Sequence, residues 1–131
     1  MTMSEQINNA IIAHCEWVEK LRVAIESGQI DISVETAIQD NVCPFGQWLY
    51  GDTIPETAKA LPGYQSVLRL HARFHEFAAT ILSIAISGNR DDAFNRIIKS
   101  SDYAITSHML TLSLKLWLID VHKFNITAQK D

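Results

Sequence analysis

The chain has 131 residues and a mass of 14.7 kDa, with 47% hydrophobic and 20% charged residues. These proportions are typical of a folded globular protein, and the length suits one domain, so we expect residues 1–131 to form a single domain. The formal net charge is −4 and the sequence pI is about 5.7. This balance argues against nucleic acid or an anionic membrane surface as the main partner, because both attract clusters of Lys and Arg.

No apolar run reaches the roughly 18 residues that a membrane span requires. The nearest run, residues 77–87, contains Thr80 and Ser83. The first six residues lack the basic flank and apolar stretch of a signal peptide. The sequence therefore predicts a cytoplasmic protein. In a reducing compartment, Cys15 and Cys43 are expected to be free thiols or metal ligands rather than a disulfide.

The first predicted helix begins after Ser4, a suitable N-cap, and ends at Gly28, a natural terminator. Its apolar face recurs every three or four residues, at Ile7, Ile11, His14, Val18, Leu21 and Ile25. The following residues, 29–41, have a mixed pattern that predicts at most one helical turn near 34–38.

A short helix is predicted directly after Cys43. Pro44 suits the first turn of a helix, and Gly51 suits its end. Between them lies an aromatic and glycine-containing segment, Phe45-Gly46-Gln47-Trp48-Leu49-Tyr50.

Two further long helices are predicted after the Pro62-Gly63 pair. The first runs from Tyr64 to about Gly88, with its apolar face at Tyr64, Val67, Leu68, His71, Phe74, His75, Ala78, Leu82 and Ala85. The last helix is capped by Asn89 or Asp91 and extends to about Phe124. It carries Phe94, Ile97, Ile98, Ala104, Ile105, Leu112, Leu116 and Ile119.

The pattern contains no strand-like alternation of useful length. Three long amphipathic helices and shorter segments predict an all-α fold. We expect an antiparallel four-helix bundle with an extra short helix that carries the cysteine motif.

Three histidines occupy positions where a helix would place leucines. His14 lies on the apolar face of the first helix, and His71 and His75 lie on that of the second. Two imidazoles four residues apart project from one helix face and can hold one metal ion. A single histidine on such a face is more often a hydrogen-bonded core residue, and an isolated His-x-x-x-His also occurs by chance. Three inward histidines on two helices, with a cysteine nearby, favour a metal site.

Cys43 is the natural fourth ligand, because the start of a short helix is expected to lower its pKa and favour the thiolate. One thiolate and three imidazoles suit tetrahedral zinc, although cobalt or nickel could occupy the same set in vitro. Two competitors exist. Cys15 points away from the apolar face and is interpreted as a packing residue. His108 is interpreted as a hydrogen-bonded histidine of the core or of a subunit interface.

At these residues the sequence resembles the chemoreceptor zinc-binding domain family, also called CZB. The family pattern has His-x-x-Trp on its first helix, found here as His14-Cys15-Glu16-Trp17. It has a Cys-x-x-Gly-x-Trp core, found here as Cys43-Pro44-Phe45-Gly46-Gln47-Trp48-Leu49, and a final His-x-x-x-His, found here as His71-Ala72-Arg73-Phe74-His75. The three blocks occur in the family's order and span roughly residues 10–80.

The resemblance implies that His14, Cys43, His71 and His75 are zinc ligands. It also implies a homodimeric four-helix bundle with a regulatory role, as found on bacterial chemoreceptors and diguanylate cyclases. This sequence contains neither a chemoreceptor signalling hairpin nor a cyclase domain. We therefore expect either a trimmed domain or a stand-alone family member that acts on its partner in trans.

The leading functional hypothesis is a sensory or regulatory domain, not an enzyme, that responds to zinc occupancy or to oxidation of Cys43. A zinc hydrolase is less favoured, because four ligands would close the site and because Glu16 and Glu76 lie away from the ligand face. A metal-free helical dimerisation module is the other alternative.

The last predicted helix is apolar on more than one side. Its crowded apolar residues are Leu110, Leu112, Leu114, Leu116, Trp117 and Leu118. Such a helix is expected to be buried on both sides, either within the core or against a second subunit.

Overall fold

The computed structural model describes residues 1–98 and 100–127. These residues form seven helices and no strand: α1 (Met3–Ser27), α2 (Val34–Ala37), α3 (Pro44–Leu49), α4 (Glu56–Lys59), α5 (Pro62–Ile86), α6 (Arg90–Asn95) and α7 (Asp102–Lys123). The predicted all-α class is confirmed. None of these helices, within the part of the chain described, has the length and apolar character of a membrane span.

Helix α1 begins two residues earlier than the sequence predicts. The Thr2 hydroxyl accepts a hydrogen bond from Glu5 N (3.1 Å), and the Glu5 carboxylate accepts one from Thr2 N (3.1 Å). This reciprocal capping box makes Thr2 the N-cap and leaves Ser4 inside the first turn. The predicted end is correct, because Gly28 has a φ of 74° and its N–H donates to the Ala24 carbonyl at 3.0 Å.

The short helix α3 forms where the cysteine motif predicts it. Cys43 is its N-cap residue and Pro44 occupies its first turn. Gly46 is buried against the carbonyl of Asp40, so the chain that leads into the motif folds back over the start of α3. This arrangement holds Cys43 facing α5.

Helices α5 and α7 pack along each other in opposite directions. Gly63, at the start of α5, lies against Trp117 near the end of α7, whose indole N–H donates to the Ala58 carbonyl at 3.1 Å. Further along α5, Phe74 stacks on Tyr103, in the first turn of α7, with ring centroids 4.9 Å apart. The antiparallel pair forms the wall against which α1 packs.

The prediction of one continuous last helix is wrong, because the structure has α6 and α7 in its place. Helix α6 ends at Asn95, and Ser100, directly before the cap of α7, takes a left-handed φ of 78° that interrupts a helical path into α7. Ser101 then caps α7 by accepting a hydrogen bond from Ala104 N at 3.1 Å. Two adjacent serines, which compete for backbone hydrogen bonds, are a physical reason for a break at this point.

The core consists of two apolar clusters that follow one another along the long helices. One groups the first turns of α1 and α5 with the end of α7, and it includes Ile7, Val67 and Leu114. The other groups the later turns of α1 and α5 with the start of α7, and it includes Leu21, Leu82 and Tyr103. Helices α1 and α5 therefore run in the same direction. The complete antiparallel four-helix arrangement stays a prediction, since the described residues contain three long helices.

Helix α7 buries one face and exposes another that is equally apolar. Its buried residues are Tyr103, Thr106, Leu110, Leu114, Trp117 and Val121. The residues we call the outer face of α7 are 47% to 59% exposed: Ile105, Met109, Leu112, Leu116 and Ile119. Four of these five belong to the apolar row that the sequence assigned to the last helix. These four residues face away from this chain's core.

Candidate metal centre

The side chains of Cys43, His71 and His75 meet at one point between α3 and α5. The Cys43 sulfur lies 3.4 Å from His71 Nε2 and 3.5 Å from His75 Nε2, and the two imidazole nitrogens are 3.1 Å apart. The two histidines are one turn apart on the buried face of α5, as the sequence predicts. Their donor atoms and the sulfur lie close enough to coordinate a single metal ion.

The size of this triangle fits zinc. Zinc bonds of about 2.3 Å to sulfur and about 2.0–2.1 Å to nitrogen place tetrahedral ligands roughly 3.5 Å (sulfur to nitrogen) and roughly 3.3 Å (nitrogen to nitrogen) apart. The observed spacings of 3.4, 3.5 and 3.1 Å agree with these values to a few tenths of an ångström. A thiol with two imidazoles is also a donor set that suits zinc chemically.

The orientation of His75 is set by a backbone carbonyl. His75 Nδ1 lies 2.8 Å from the Ala37 oxygen, at the end of α2. A carbonyl oxygen only accepts, so Nδ1 carries the proton and the lone pair of the neutral ring is on Nε2. That lone pair faces Cys43 and His71. Metal-binding histidines commonly have such a partner behind them, because it fixes both the tautomer and the ring.

His71 is oriented mainly by packing. The ring of Phe45 stacks on it with centroids 4.3 Å apart and an interplanar angle of 14°. Its Nδ1 is buried and has no hydrogen-bond partner among the described residues. Burial lowers the pKa of His71 to about 3, with smaller contributions from the nearby His75 and His14. The imidazole is therefore neutral at physiological pH and available as a nitrogen donor.

His14 is buried on α1, as predicted, but it is bonded elsewhere. Its Nε2 lies 2.8 Å from the Ser107 hydroxyl on α7, and its ring meets the edge of Phe74 at 4.5 Å. Burial lowers the pKa of His14 to about 4, and His75 adds to the effect. The group whose donor atoms all lie within 4.8 Å of one another consists of Cys43, His71 and His75, without His14.

The thiol of Cys43 does not behave as the sequence predicts. The N–H groups at the helix start lower its pKa, as expected, but burial outweighs them, so the pKa lies above its usual value and the expected net lowering is wrong. The Gly46 N–H, which donates to the sulfur at 3.3 Å, offsets this effect only in part. A cation next to the sulfur would reverse the balance by stabilising the thiolate. The cluster thus combines a buried thiol with neutral imidazoles. A divalent cation bound among these groups would be coordinated by all of them.

Aromatic side chains and one cavity surround the cluster. Trp17 lies 5.3 Å from His75 and 5.7 Å from Phe74, measured between ring centroids. A cavity of 230 Å³ is lined by Cys43, His75 and Trp17, with Lys20 among its other walls. The cavity therefore brings solvent up to the residues that surround the cluster.

The alternative ligands lie outside the cluster. Cys15 and His108 are both exposed, so the expectations of a packing cysteine and a core histidine are wrong. Whether His108 belongs to a subunit interface stays open as a prediction. Glu16 and Glu76 are also exposed.

Two partners of the histidines escape sequence reasoning. The Ala37 carbonyl that orients His75 is a backbone atom, which no residue pattern identifies. Ser107 bonds to His14 across 93 positions of the chain. His14 and Ser107 come together because of the way α1 and α7 are aligned along each other. The apolar periodicity of each helix does not predict that alignment.

Comparison with known families identifies the chain. The model of the chemoreceptor zinc-binding domain matches residues 14–82, slightly more than half of the sequence, from the first predicted ligand to beyond the last. The chain belongs to this family. Chemoreceptor zinc-binding domains form a sensory rather than a catalytic family, and the metal that the cluster suits is zinc. Neither a curated protein nor a solved structure matches the chain significantly.

Proposed function

We propose that this chain is a single zinc-binding regulatory domain, without catalytic activity, that adjusts a bacterial signalling protein in the cytoplasm. Its target would be a chemoreceptor or a diguanylate cyclase, joined to it or met in trans. The observation that carries the proposal is the triangle of Cys43 Sγ, His71 Nε2 and His75 Nε2, with all three atoms 3.1 to 3.5 Å apart.

Four residues form the proposed ligand set. Cys43, His71 and His75 would bind where they stand, and His14 would complete a tetrahedron after leaving Ser107. When bound, zinc supplies a double positive charge that stabilises the Cys43 thiolate. The protein supplies neutral imidazoles, held by the Ala37 carbonyl and by the stacked Phe45. The ion would thereby tie α1, α3 and α5 together.

The regulated element in this proposal is α3 with the chain leading into it. Helix α3 has six residues, too few to be stable by itself, and Cys43 forms its first cap. Zinc holds that cap against α5. Loss of zinc would loosen α3, and a signalling partner could respond to the change in its population.

Oxidation of Cys43 offers a second route to the same change. The cavity beside Cys43 and His75, with a volume of 230 Å³, is large enough to hold a small oxidant next to these residues. A peroxide would transfer one oxygen atom to the thiolate, giving a sulfenate and water. The sulfenate is a poorer zinc ligand than the thiolate, so oxidation would favour release of the metal.

The exposure of Glu16 and Glu76 favours a regulatory site over a hydrolytic one, and Asp40, whose charge acts on Cys43 and His75, accepts a hydrogen bond from the Tyr50 hydroxyl. A catalytic zinc centre keeps one open position and places a general base beside it. Glu16 and Glu76, the acidic residues nearest to the proposed ligands in sequence, both point into solvent. Filling the fourth position with His14 would leave no place for a reactive water.

We further propose that the domain is a homodimer joined through the outer face of α7. The five residues of this face recur at intervals of four, three, four and three, which is the spacing of a coiled-coil seam. Each is about half exposed in the single chain. Rows of this kind are uncommon on surfaces that face only water, and a second copy offers a matching row.

The charges beside the row favour a parallel pairing. Lys115 lies on one flank of the outer face and Asp120, five residues later, on the other. In a parallel two-stranded arrangement, residues five apart on opposite flanks meet across the seam. Lys115 of each copy would then face Asp120 of the other, whereas an antiparallel arrangement would bring like flanks together.

Hydrogen exchange measured by mass spectrometry tests the regulatory proposal. In zinc-loaded wild-type protein, the amides of residues 38–49 should exchange more slowly than in protein stripped of zinc by a chelator. Cys43→Ser should resemble the stripped protein under both conditions, and Cys15→Ser should behave as wild type. Identical exchange of this segment with and without bound zinc would contradict the proposal.

A further inference from the structure

The four proposed zinc ligands differ in their hydrogen-bond and contact partners. Cys43, His71 and His75 contact one another, whereas the Nε2 atom of His14 bonds to Ser107 Oγ at 2.8 Å. Ser107 lies on α7, a helix that contributes none of the proposed ligands. The bond therefore links the metal centre to an element outside it.

One imidazole nitrogen cannot serve both partners. Nε2 either carries a proton, which it donates, or a lone pair, which accepts a hydrogen bond or binds a metal. To ligate a metal through Nε2, His14 must first break its bond to Ser107. We propose that Ser107 is a positioning residue that competes with the metal for His14 Nε2. The inference rests on the proposed function, in which His14 is the fourth ligand, and takes Nε2 as its ligating atom, the same nitrogen that His71 and His75 direct to the cluster.

Burial of His14 makes its hydrogen bond to Ser107 costly to break. The His14 side chain is only 3% exposed, so water cannot easily replace the hydroxyl as a partner of Nε2. The hydroxyl therefore stabilises the arrangement in which His14 is withheld from the triangle. After release, the Ser107 hydroxyl can turn to the carbonyl of Tyr103, one helical turn earlier, as serines in helices commonly do.

The competition also couples metal binding to α7. Ser107 lies between Ile105 and Met109 in the sequence, in the same turns as the first residues of the outer face. Breaking its bond to His14 removes a polar contact between α1 and α7. Zinc binding would thus change a contact of α7, the helix that carries the proposed dimer surface, although α7 provides no metal ligand.

The test is zinc affinity, measured by competition with a chromophoric chelator. Removing the hydroxyl in Ser107→Ala should tighten zinc binding roughly 2- to 10-fold, the range expected for loss of one competing hydrogen bond. Ser113→Ala, at another serine of α7, should leave the affinity unchanged. In a His14→Ala background, Ser107→Ala should have no effect, because the imidazole for which the hydroxyl competes is gone. A purely structural role for Ser107 would affect both backgrounds.

The opposite outcomes are equally clear. Weaker binding in Ser107→Ala would mean that the hydroxyl supports a metal-bound His14, and unchanged binding would mean that the bond does not matter. Either result overturns the inference. Ser107→Thr, which keeps a hydroxyl, should bind zinc as wild type does. Absence of zinc binding in the wild-type protein would refute the proposed function itself, a different result from any of these.

Discussion

Gly46 approaches the carbonyl of Asp40 so closely that a β-carbon on Gly46 would lie 1.8 Å from the Asp40 oxygen. Only a residue without a side chain fits there. The same residue donates its N–H to the Cys43 sulfur at 3.3 Å. This one glycine therefore fixes the path of the chain before α3 and also the position of the thiol. The contact explains why a glycine lies within the cysteine motif.

Gly46→Ala should destabilise the protein and weaken zinc binding together. The new methyl group must displace the backbone at Asp40, and overpacking of this kind costs about 1–3 kcal/mol. Because Cys43 belongs to the same turn, its sulfur should move away from the histidines. Chemical denaturation and chelator competition measure the two effects.

Gly88→Ala is the matched control for that variant. A β-carbon at Gly88 meets no atom within 4 Å, although its φ of 100° disfavours alanine. It should lower stability through backbone strain alone and leave zinc affinity unchanged. Equal zinc affinities for Gly46→Ala and wild type would contradict the role given to Gly46.

Cys43→Ser should weaken zinc binding by at least about 100-fold. Loss of an outer partner of a metal ligand typically costs 10- to 100-fold, and loss of the thiolate itself should cost more. A serine hydroxyl is a poor zinc ligand at neutral pH. Cys15→Ser removes the exposed cysteine and should bind zinc as wild type does. A Cys43→Ser protein with unchanged affinity would refute the proposed ligand set.

The stability of the zinc-free protein should fall as the pH is lowered from 7.5 to 5. Burial lowers the pKa of His14 to about 4 and that of His71 to about 3, from 6.5 in the unfolded chain. Below pH 6.5 the unfolded state therefore binds more protons than the folded state, so acid favours unfolding. Each histidine should remove about 2 kcal/mol of stability by pH 5.

Urea unfolding at the two pH values, in the presence of a chelator, measures this effect. Equal free energies of unfolding at pH 7.5 and pH 5 would show that His14 and His71 are not buried as neutral groups.

A charge on the outer face of α7 should separate the proposed dimer. Leu112→Glu places a carboxylate in the middle of the apolar row, where pairing would bury it without a partner. The dissociation constant should rise about tenfold or more, as measured by sedimentation at several concentrations. Val23→Glu, at an exposed apolar residue of α1, is the control. A wild-type chain that stays monomeric at high micromolar concentration would refute the dimer.

Much of the site could be predicted from residue order alone. His71 and His75 lie on an apolar face with period 3.6, and one turn of helix necessarily brings them together. Cys43 could be placed because Pro44 suits the first turn of a short helix and Gly51 suits its end. The closing of Cys43 onto α5 depends on the path of residues 28–43, for which the sequence predicts only one helical turn.

The rest required tertiary structure. The apolar pattern of α7 fits burial on either side, and only the packing of Gly63 against Trp117 decides which side is the core. The break between α6 and α7 depends on the left-handed backbone at Ser100, which is rare for residues other than glycine. The bond between His14 and Ser107 depends on the register of two helices far apart in the chain.

Metal content by native mass spectrometry tests the central claim most directly. Wild-type protein from unsupplemented medium should carry one zinc ion per chain, and His71→Ala should lose it. His108→Ala, which alters an exposed histidine, should keep it. Metal-free wild-type protein that is nevertheless fully folded, or a His71→Ala variant with undiminished zinc, would contradict the account.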